Sequence, residues 1–440
     1  MRITAWFASL LLILGGAVLA QPDVPPLPAD VDLSQPLTLE ACVQVALAAN
    51  PQLAVAGEQV RQARNSVTQA RAQGLPQLSA IGQVSASGGR PFGAGSGLSS
   101  TPSTTSQVGV RLYESFFESG RAQQIRATEA QVAGQRHALM DTRRSLILAV
   151  AQDYYVALAA QELVGVADRA VQASTQHLEA AEARIAAGAT APADRYPFDV
   201  ELQQAVVSLI QARNQARVTL NFLKQTMGLP AESPLQLADR LSRPPLPGDL
   251  ETLRHQAYLQ RPDILRQKAL VEAARLQREV ARLQQGPLIS VSASNSLGFT
   301  NGRGGDGWEG QIGVSLPLFD SGASRAAADS ADAALRIATE NLRQIELAAS
   351  REVENSYLDV MASHAQIDAA QTALRAAQVN AEAAQERYQA GVGTVLDVTD
   401  AEQRLRRAES DLVAAFYNYN TSLIALQAAV GVPEIPAATS

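Results

Sequence analysis

The sequence predicts a mainly α-helical chain with a transmembrane β part, made of two tandem repeats of helix, helix, β hairpin, long helix and helix. Three observations carry this reading. Matching landmarks recur at fixed offsets in the two halves. Each half holds a helix-forming run of nearly seventy residues, and between the helices the hydrophobic period drops to two.

Residues 1–20 read as a secretory signal. Arg2 supplies the positive start, Ala5 to Leu19 the apolar stretch, and Val18-Leu19-Ala20 the small residues of a cleavage site. The competing reading is a membrane anchor, but the stretch is short and Pro22, Pro25, Pro26 and Pro28 follow it directly. The expected mature chain starts at Gln21, with a Pro-rich segment at 21–36. Removing Arg2 from the 36 basic residues leaves 35 against 43 acidic ones, net −8, which gives no footprint for nucleic acid. The lone Cys42, between Ala41 and Val43, reads as a small buried hydrophobe.

The first repeat spans 37–230 and the second 250–433. Leu39-Glu40 through Asn50-Pro51 matches Leu250-Glu251 through Arg261-Pro262 at an offset of 211, which Pro76 and Pro287 keep. Gly188 and Gly391, Asp194 and Asp397, Gly228 and Gly431, and Pro230 and Pro433 all differ by 203. A Pro-rich connector at 231–249 joins the repeats at mid-height, and 434–440 is a tail. Each copy opens with a short helix, 39–49 or 250–260, that stops before a proline because the preceding residue avoids helical backbone. A second helix, 51–73 or 262–285, restarts on that proline, whose missing N–H costs nothing in a first turn.

Hairpins are expected at 76–113 and 287–319. Leu78, Ala80, Gly82, Val84 and Ala86 alternate with Gln77, Ser79, Gln83 and Ser85, and the second copy repeats the pattern from Ile289 to Phe299. Strands of about 10–12 residues with one apolar and one small polar face suit a membrane barrel. A water-exposed hairpin would alternate in the same way. Gly88 to Ser103 and Asn301 to Gly307 read as surface loops; the second resembles a single calcium-binding repeat but lacks the array that makes such sites.

Long helices are expected at 120–187 and 322–390. Ala323 to Ala390 has no glycine or proline, and Arg121 to Ala187 only Gly134 and Gly165. Such a helix is about 100 Å long at 1.5 Å per residue, far beyond what a compact domain uses. Return helices are expected at 193–227 and 394–430. The second carries a heptad seam of Val398, Ala401, Leu405, Ala408, Leu412, Ala415, Tyr419, Leu423, Leu426 and Val430, and the first matches it from Phe198 to Met227. Leu412 to Pro433 lacks charges over 22 residues, but Asn418, Asn420, Thr421, Ser422 and Gln427 suit a helix packed in protein rather than lipid.

Four strands cannot close a membrane barrel, and open edges in lipid cost several kcal/mol per unpaired group. Two chains would give eight strands and a filled interior; three give twelve and leave a pore.

At this point the residues carry a family resemblance. Leu37-Thr38-Leu39-Glu40 to Asn50-Pro51, Leu75-Pro76-Gln77-Leu78, Ser315-Leu316-Pro317-Leu318-Phe319-Asp320-Ser321-Gly322 and Arg387-Tyr388-Gln389-Ala390-Gly391-Val392-Gly393-Thr394-Val395-Leu396-Asp397-Val398 resemble the TolC-like outer membrane efflux proteins. The resemblance implies a homotrimer: a twelve-stranded barrel in outer-membrane lipid above a periplasmic α-helical coiled-coil tube. It also implies a periplasmic adaptor protein and an inner-membrane transporter as partners, in efflux or type I secretion. No cofactor or metal is implied.

The resemblance further implies that the turns after the long helices form the periplasmic entrance. Gly188, Asp194, Tyr388, Gly391, Gly393, Thr394 and Asp397 fall on its positions. Gly393 departs from the pattern, since an arginine can stand there, and a cross-chain salt bridge at that point is not expected. Pro192 and Pro197 stiffen the first turn. Thr394 to Asp397 also has capping-box spacing, so the aspartates are open to two roles, helix caps and a charged mouth, which are compatible with each other. An enzyme is not expected, because His137, His177, His255 and His364 are scattered and neither a nucleophile elbow nor a phosphate loop occurs. A periplasmic coiled-coil adaptor or scaffold without a pore is the alternative, but it leaves the embedded hairpins unexplained.

Overall fold

The computed structural model describes residues 35–87, 103–300 and 303–431. The expected signal at 1–20 and tail at 434–440 lie outside the described residues. In chain order the elements are α1 (Leu39–Ala49), α2 (Pro51–Ala72), β1 (Gln77–Ser87), β2 (Ser103–Glu118), α3 (Arg121–Ala186), α4 (Arg195–Met227), α5 (Leu250–Gln260), α6 (Pro262–Leu283), β3 (Leu288–Thr300), β4 (Arg303–Ser315), α7 (Ala323–Gln389) and α8 (Val395–Val430). The long helices α3 and α7 have 66 and 67 residues, about 100 Å each. Gly134 and Gly165 lie within α3 without interrupting it.

The shorter helices line the long ones. In the first copy α2 and α4 pack on α3; in the second α6 and α8 pack on α7, and α3 also contacts α6 and α8. The α8 seam is buried at Val398, Ala401, Ala408, Ala415, Tyr419, Leu423, Leu426 and Val430, and half-buried at Leu405 and Leu412. The uncharged end of α8 is therefore a core helix: Tyr419, Leu426 and Ala429 meet Val353, Val360 and Ile367 of α7.

The breaks at Asn50 and Arg261 serve one purpose with different chemistry. Asn50 accepts from Gln52 N–H at 2.8 Å, capping α2, and its Nδ2 donates to Thr226 O of α4 at 2.8 Å. Arg261, at the equivalent position, donates from Nη1 to Ala429 O of α8 at 2.8 Å and pairs with Asp263 and Glu352 at 2.7 and 2.9 Å. Each break thus holds the end of its own return helix.

The connector packs on the middle of α3. Leu37 and Leu237 form a parallel bridge, and Tyr154 donates from its hydroxyl to Asp239 Oδ2 at 2.8 Å. Beside them Cys42 is fully buried, and burial, with help from Asp239, pushes its thiol up to about 12. Arg243 of the connector pairs with Asp368 of α7 at 2.7 Å, and Tyr419 of α8 donates to Pro244 O at 2.6 Å.

The four strands form one antiparallel sheet in the order β1-β2-β3-β4. The register puts Leu78, Ala80 and Val84, Leu112, Val110 and Val108, Val291, Ala293 and Leu297, and Ile312 and Val314 on one face. Gln83, Ser79, Gln107, Ser292, Ser294, Ser296 and Gln311 occupy the other. Along β3 the serines of the polar face are half-buried while Ala293, Asn295 and Leu297 are exposed, so the sheet curls toward its polar side.

Three sequence expectations need correction here. Residues 303–307 are not loop but the start of β4, where Gly304 pairs with Phe299. The Phe299 ring lies so close that a Cβ at Gly304 would be 2.7 Å from it; the ring does the packing that glycine cannot. β4 ends at Ser315 rather than running to 319, because Pro317 has no N–H to extend the ladder. β2 runs on past 113 to Glu118, through a bulge between Ser115 and Phe117 that breaks the alternation.

Candidate functional site

The seven residues singled out from the sequence all lie at the two turns where the long helices reverse. Both turns begin with the same backbone device. After α3, Gly188 N–H donates to Ile185 O and Ala189 N–H to Arg184 O, each at 2.9 Å. After α7, Gly391 N–H donates to Tyr388 O at 3.1 Å and Val392 N–H to Arg387 O at 3.0 Å. This closure needs left-handed backbone, and Gly188 and Gly391 adopt φ of +69° and +79°.

The turns then diverge. In the second, Thr394 and Asp397 form a capping box: Asp397 N–H donates to Thr394 Oγ1 at 3.2 Å, and Thr394 N–H to Asp397 Oδ2 at 2.9 Å. The Thr394 N–H, its hydroxyl and, more weakly, the Arg387 charge hold the Asp397 carboxyl below the usual range. In the first, Pro192–Asp194 forms a single 3₁₀ turn before α4, and Asp194 makes no capping bond. Equivalent in sequence, the two aspartates are not equivalent in structure.

Tyr388 lies inside the tip. It is buried with Ala181, Phe198 and Val398, its ring edge-on to Phe198 at 5.7 Å. Arg184 of α3 stands 4.7 Å from the ring centroid and donates from Nη1 to Tyr388 O at 2.6 Å. The Tyr388 hydroxyl is buried without a hydrogen-bond partner. Burial raises its pKa, Arg184 opposes that rise and the nearby Asp194 charge adds to it. Next to this cluster His177 stacks on Phe198 at 6.0 Å, and its Nε2 is 3.3 Å from Glu402 Oε1 of α8.

Gly393 is held by its surroundings. Its N–H donates to Arg387 O at 3.0 Å, and an added Cβ would stand 3.0 Å from Tyr388 N and 3.1 Å from Arg387 Cβ. Any side chain there requires the turn to yield by a few tenths of an ångström.

Sequence reasoning missed Arg184, Phe198, His177 and Glu402 as tip residues. Arg184 had a signal: Arg387, 203 residues on, is its repeat mate and lies in the quoted motif. Arg387 also places a weak counter-charge near Asp397 within the same motif.

Set against known proteins, the chain matches the outer membrane efflux protein family over residues 42–229 and 253–432, both repeats in turn. It belongs to that family. Outer membrane protein TolC of Escherichia coli is 24% identical over 416 residues, 91% of this chain and 83% of that one. The pyoverdine export outer membrane protein OpmQ of Pseudomonas aeruginosa is 28% identical over 412 residues, 89% and 83% of the two chains. In fold, the chain is similar to the Campylobacter jejuni CmeC outer membrane channel, with a TM-score of 0.75 at 19% identity over 93% of this chain and 91% of that one. This efflux-family chain is therefore an outer-membrane channel protein with a large periplasmic helical part, in a family of channels rather than enzymes.

Proposed function

We propose that three copies of this chain close a twelve-stranded barrel in the outer membrane and continue below it as a helical tube. The assembly is a passive exit duct of a tripartite efflux or type I secretion system, fed by an inner-membrane transporter through a periplasmic adaptor. One observation carries the reading: a four-stranded sheet, apolar on its outer face and polar on its inner one, leaves β1 and β4 unpaired as edges. In lipid each unpaired backbone group costs several kcal/mol, so another copy must supply the missing neighbours. Two copies would give eight strands and a filled interior; three give twelve, the next multiple of four, and leave room for a pore. Helices of about 100 Å supply the reach into the periplasm. The turns at Gly188 and Gly391 are its entrance.

Native mass spectrometry in detergent combined with planar-bilayer recording tests this. Trimers are expected as the conducting species; conduction by monomers or dimers would overturn it. Deleting either hairpin should abolish membrane insertion, because it removes strands the closure needs.

A further inference from the structure

The sheet register places two opposite charges in one transverse row. Ser79 of β1 pairs with Arg111 of β2, Arg111 with Ser294 of β3, and Ser294 with Glu309 of β4. All four belong to the polar face, the concave side of the sheet. Away from the strand ends, Arg111 and Glu309 are the only charged side chains on that face among the described residues. They sit near the middle of their strands, and the one side chain between them, Ser294, is too short to separate them.

Closing the barrel by threefold symmetry repeats the pair three times around the wall. Threefold symmetry sets every Arg111 at one height and every Glu309 at another, so the neighbouring copy's Arg111 follows Glu309 around the wall at a greater distance than the pair within one chain. The order around the lumen becomes plus, minus, plus, minus. Within each chain, strands about 4.8 Å apart put the pair about 10 Å apart along the row. A strand tilt of about 40° offsets the arginine ring from the glutamate ring by about 6 Å along the pore. That is within a Debye length, about 8 Å at physiological salt, so a solute feels both signs together.

We propose that Arg111 and Glu309 are a matched selectivity pair: in the closed barrel they form a mid-depth belt whose charges cancel for single-sign solutes. The belt keeps the barrel indifferent to the sign of the cargo and leaves discrimination by charge to the periplasmic turns. Either charge alone would turn the mid-barrel into a filter. The inference rests on the barrel reading above.

The test uses the full-length protein in outer membranes with a single reporter thiol, Ser294→Cys, which lies in the row between the two charges. Cys42, the only native cysteine, is fully buried and gives no background. The readout is the ratio of labelling rates by a cationic and an anionic methanethiosulfonate reagent added from outside. With both charges present, the ratio should match that of a free thiol peptide. Arg111→Gln should raise it about fivefold and Glu309→Gln lower it by a similar factor, as expected for a unit charge about 5 Å away in water at about 0.1 M salt. The double variant should return it to the starting value, and Arg111→Lys should leave it unchanged. Single variants within twofold of the parent, or both shifting the same way, would overturn the belt while leaving the barrel standing. Ala293→Cys, on the apolar face, separates the two readings: if it labels as fast as Ser294→Cys, the sheet does not face lipid and both fall.

Discussion

Asp397 and Thr394 hold one another reciprocally: each accepts a hydrogen bond from the other's backbone N–H, at 2.9 and 3.2 Å. The contact fixes the first turn of α8 at the point where the chain re-enters the tube. Asp194, its repeat mate, makes no such bond.

Asp397→Ala should therefore fray the start of α8, and the amides of Thr394 and residue 397 should exchange faster by hydrogen–deuterium measurement. Asp194→Ala should leave the start of α4 unchanged. The carboxyl of Asp397 is held below its ordinary value, so its stabilisation is fully present above the unfolded pKa, about 4. It is lost as pH falls from there through the lower folded value. In the wild type, protection of the Thr394 and Asp397 amides should be constant from pH 7 to 5 and decline below about pH 4. Equal protection in wild type and Asp397→Ala would show that the box is dispensable.

Arg261→Ala should be the most damaging substitution at the helix breaks. The side chain is 4% exposed and has Asp263, Glu352 and Ala429 O as partners. Its removal leaves Ala429 O without a donor and Asp263, a quarter exposed, without its partner, at a cost of about 2–3 kcal/mol, while the half-exposed Glu352 is solvated. Asn50→Ala loses a cap and one further bond, about 1–2 kcal/mol. Thermal unfolding in one detergent should rank them in that order; an Arg261→Ala protein as stable as the parent would contradict it.

What could be read from the sequence followed the range of the forces involved. The long helices were legible because their cause is local: an almost unbroken run of residues that tolerate helical backbone. The α8 seam was legible because burial along one partner imposes a heptad, and Tyr419 and Leu426 lie where that period puts them. Residues 303–307 were misread because glycine content marks a loop only when nothing replaces the missing side chain, and the Phe299 ring came from the other strand. The tip core was legible in its members but not in its contacts: Tyr388, Phe198 and Val398 stood out along the chain, while their meeting did not. Arg184 and Tyr388 are 204 residues apart, and neither chemistry nor spacing announces that a guanidinium will cover that ring. The shared task of Asn50 and Arg261 was hidden because one position solved it with an amide and the other with a guanidinium.

Tyr388→Phe should be neutral or slightly stabilising, because the hydroxyl is buried without a partner and its removal relieves an unsatisfied group. Tyr388→Ala removes the ring from Phe198 and Arg184 and should cost about 3–5 kcal/mol. That loss should appear as faster proteolysis at the turns while the sheet end stays protected. If Tyr388→Phe proves as damaging as Tyr388→Ala, the hydroxyl has a partner in the assembled tube.

The final prediction concerns charge at the proposed mouth. In the proposed trimer, Asp194 and Asp397 would form two rings of three carboxylates, and rings of acidic side chains favour cations in pores. Repulsion within a ring would raise the carboxyl pKa. Within one chain Thr394 and Arg387 pull Asp397 the other way, so that ring stays ionised at neutral pH. With glycine at 393 the turn offers no arginine to span the opening. The duct should thus be cation-selective and obstructed by multivalent cations from the periplasmic side. Asp194→Ala with Asp397→Ala should reduce that selectivity and relieve the block while the trimer persists. The effect of Asp397→Ala on the start of α8 is controlled by Asp397→Asn, which keeps a side-chain acceptor for Thr394 but carries no charge. If the double variant keeps wild-type reversal potentials and cation block in planar bilayers, the two aspartates do not make the mouth selective, and Asp397 serves as a cap alone.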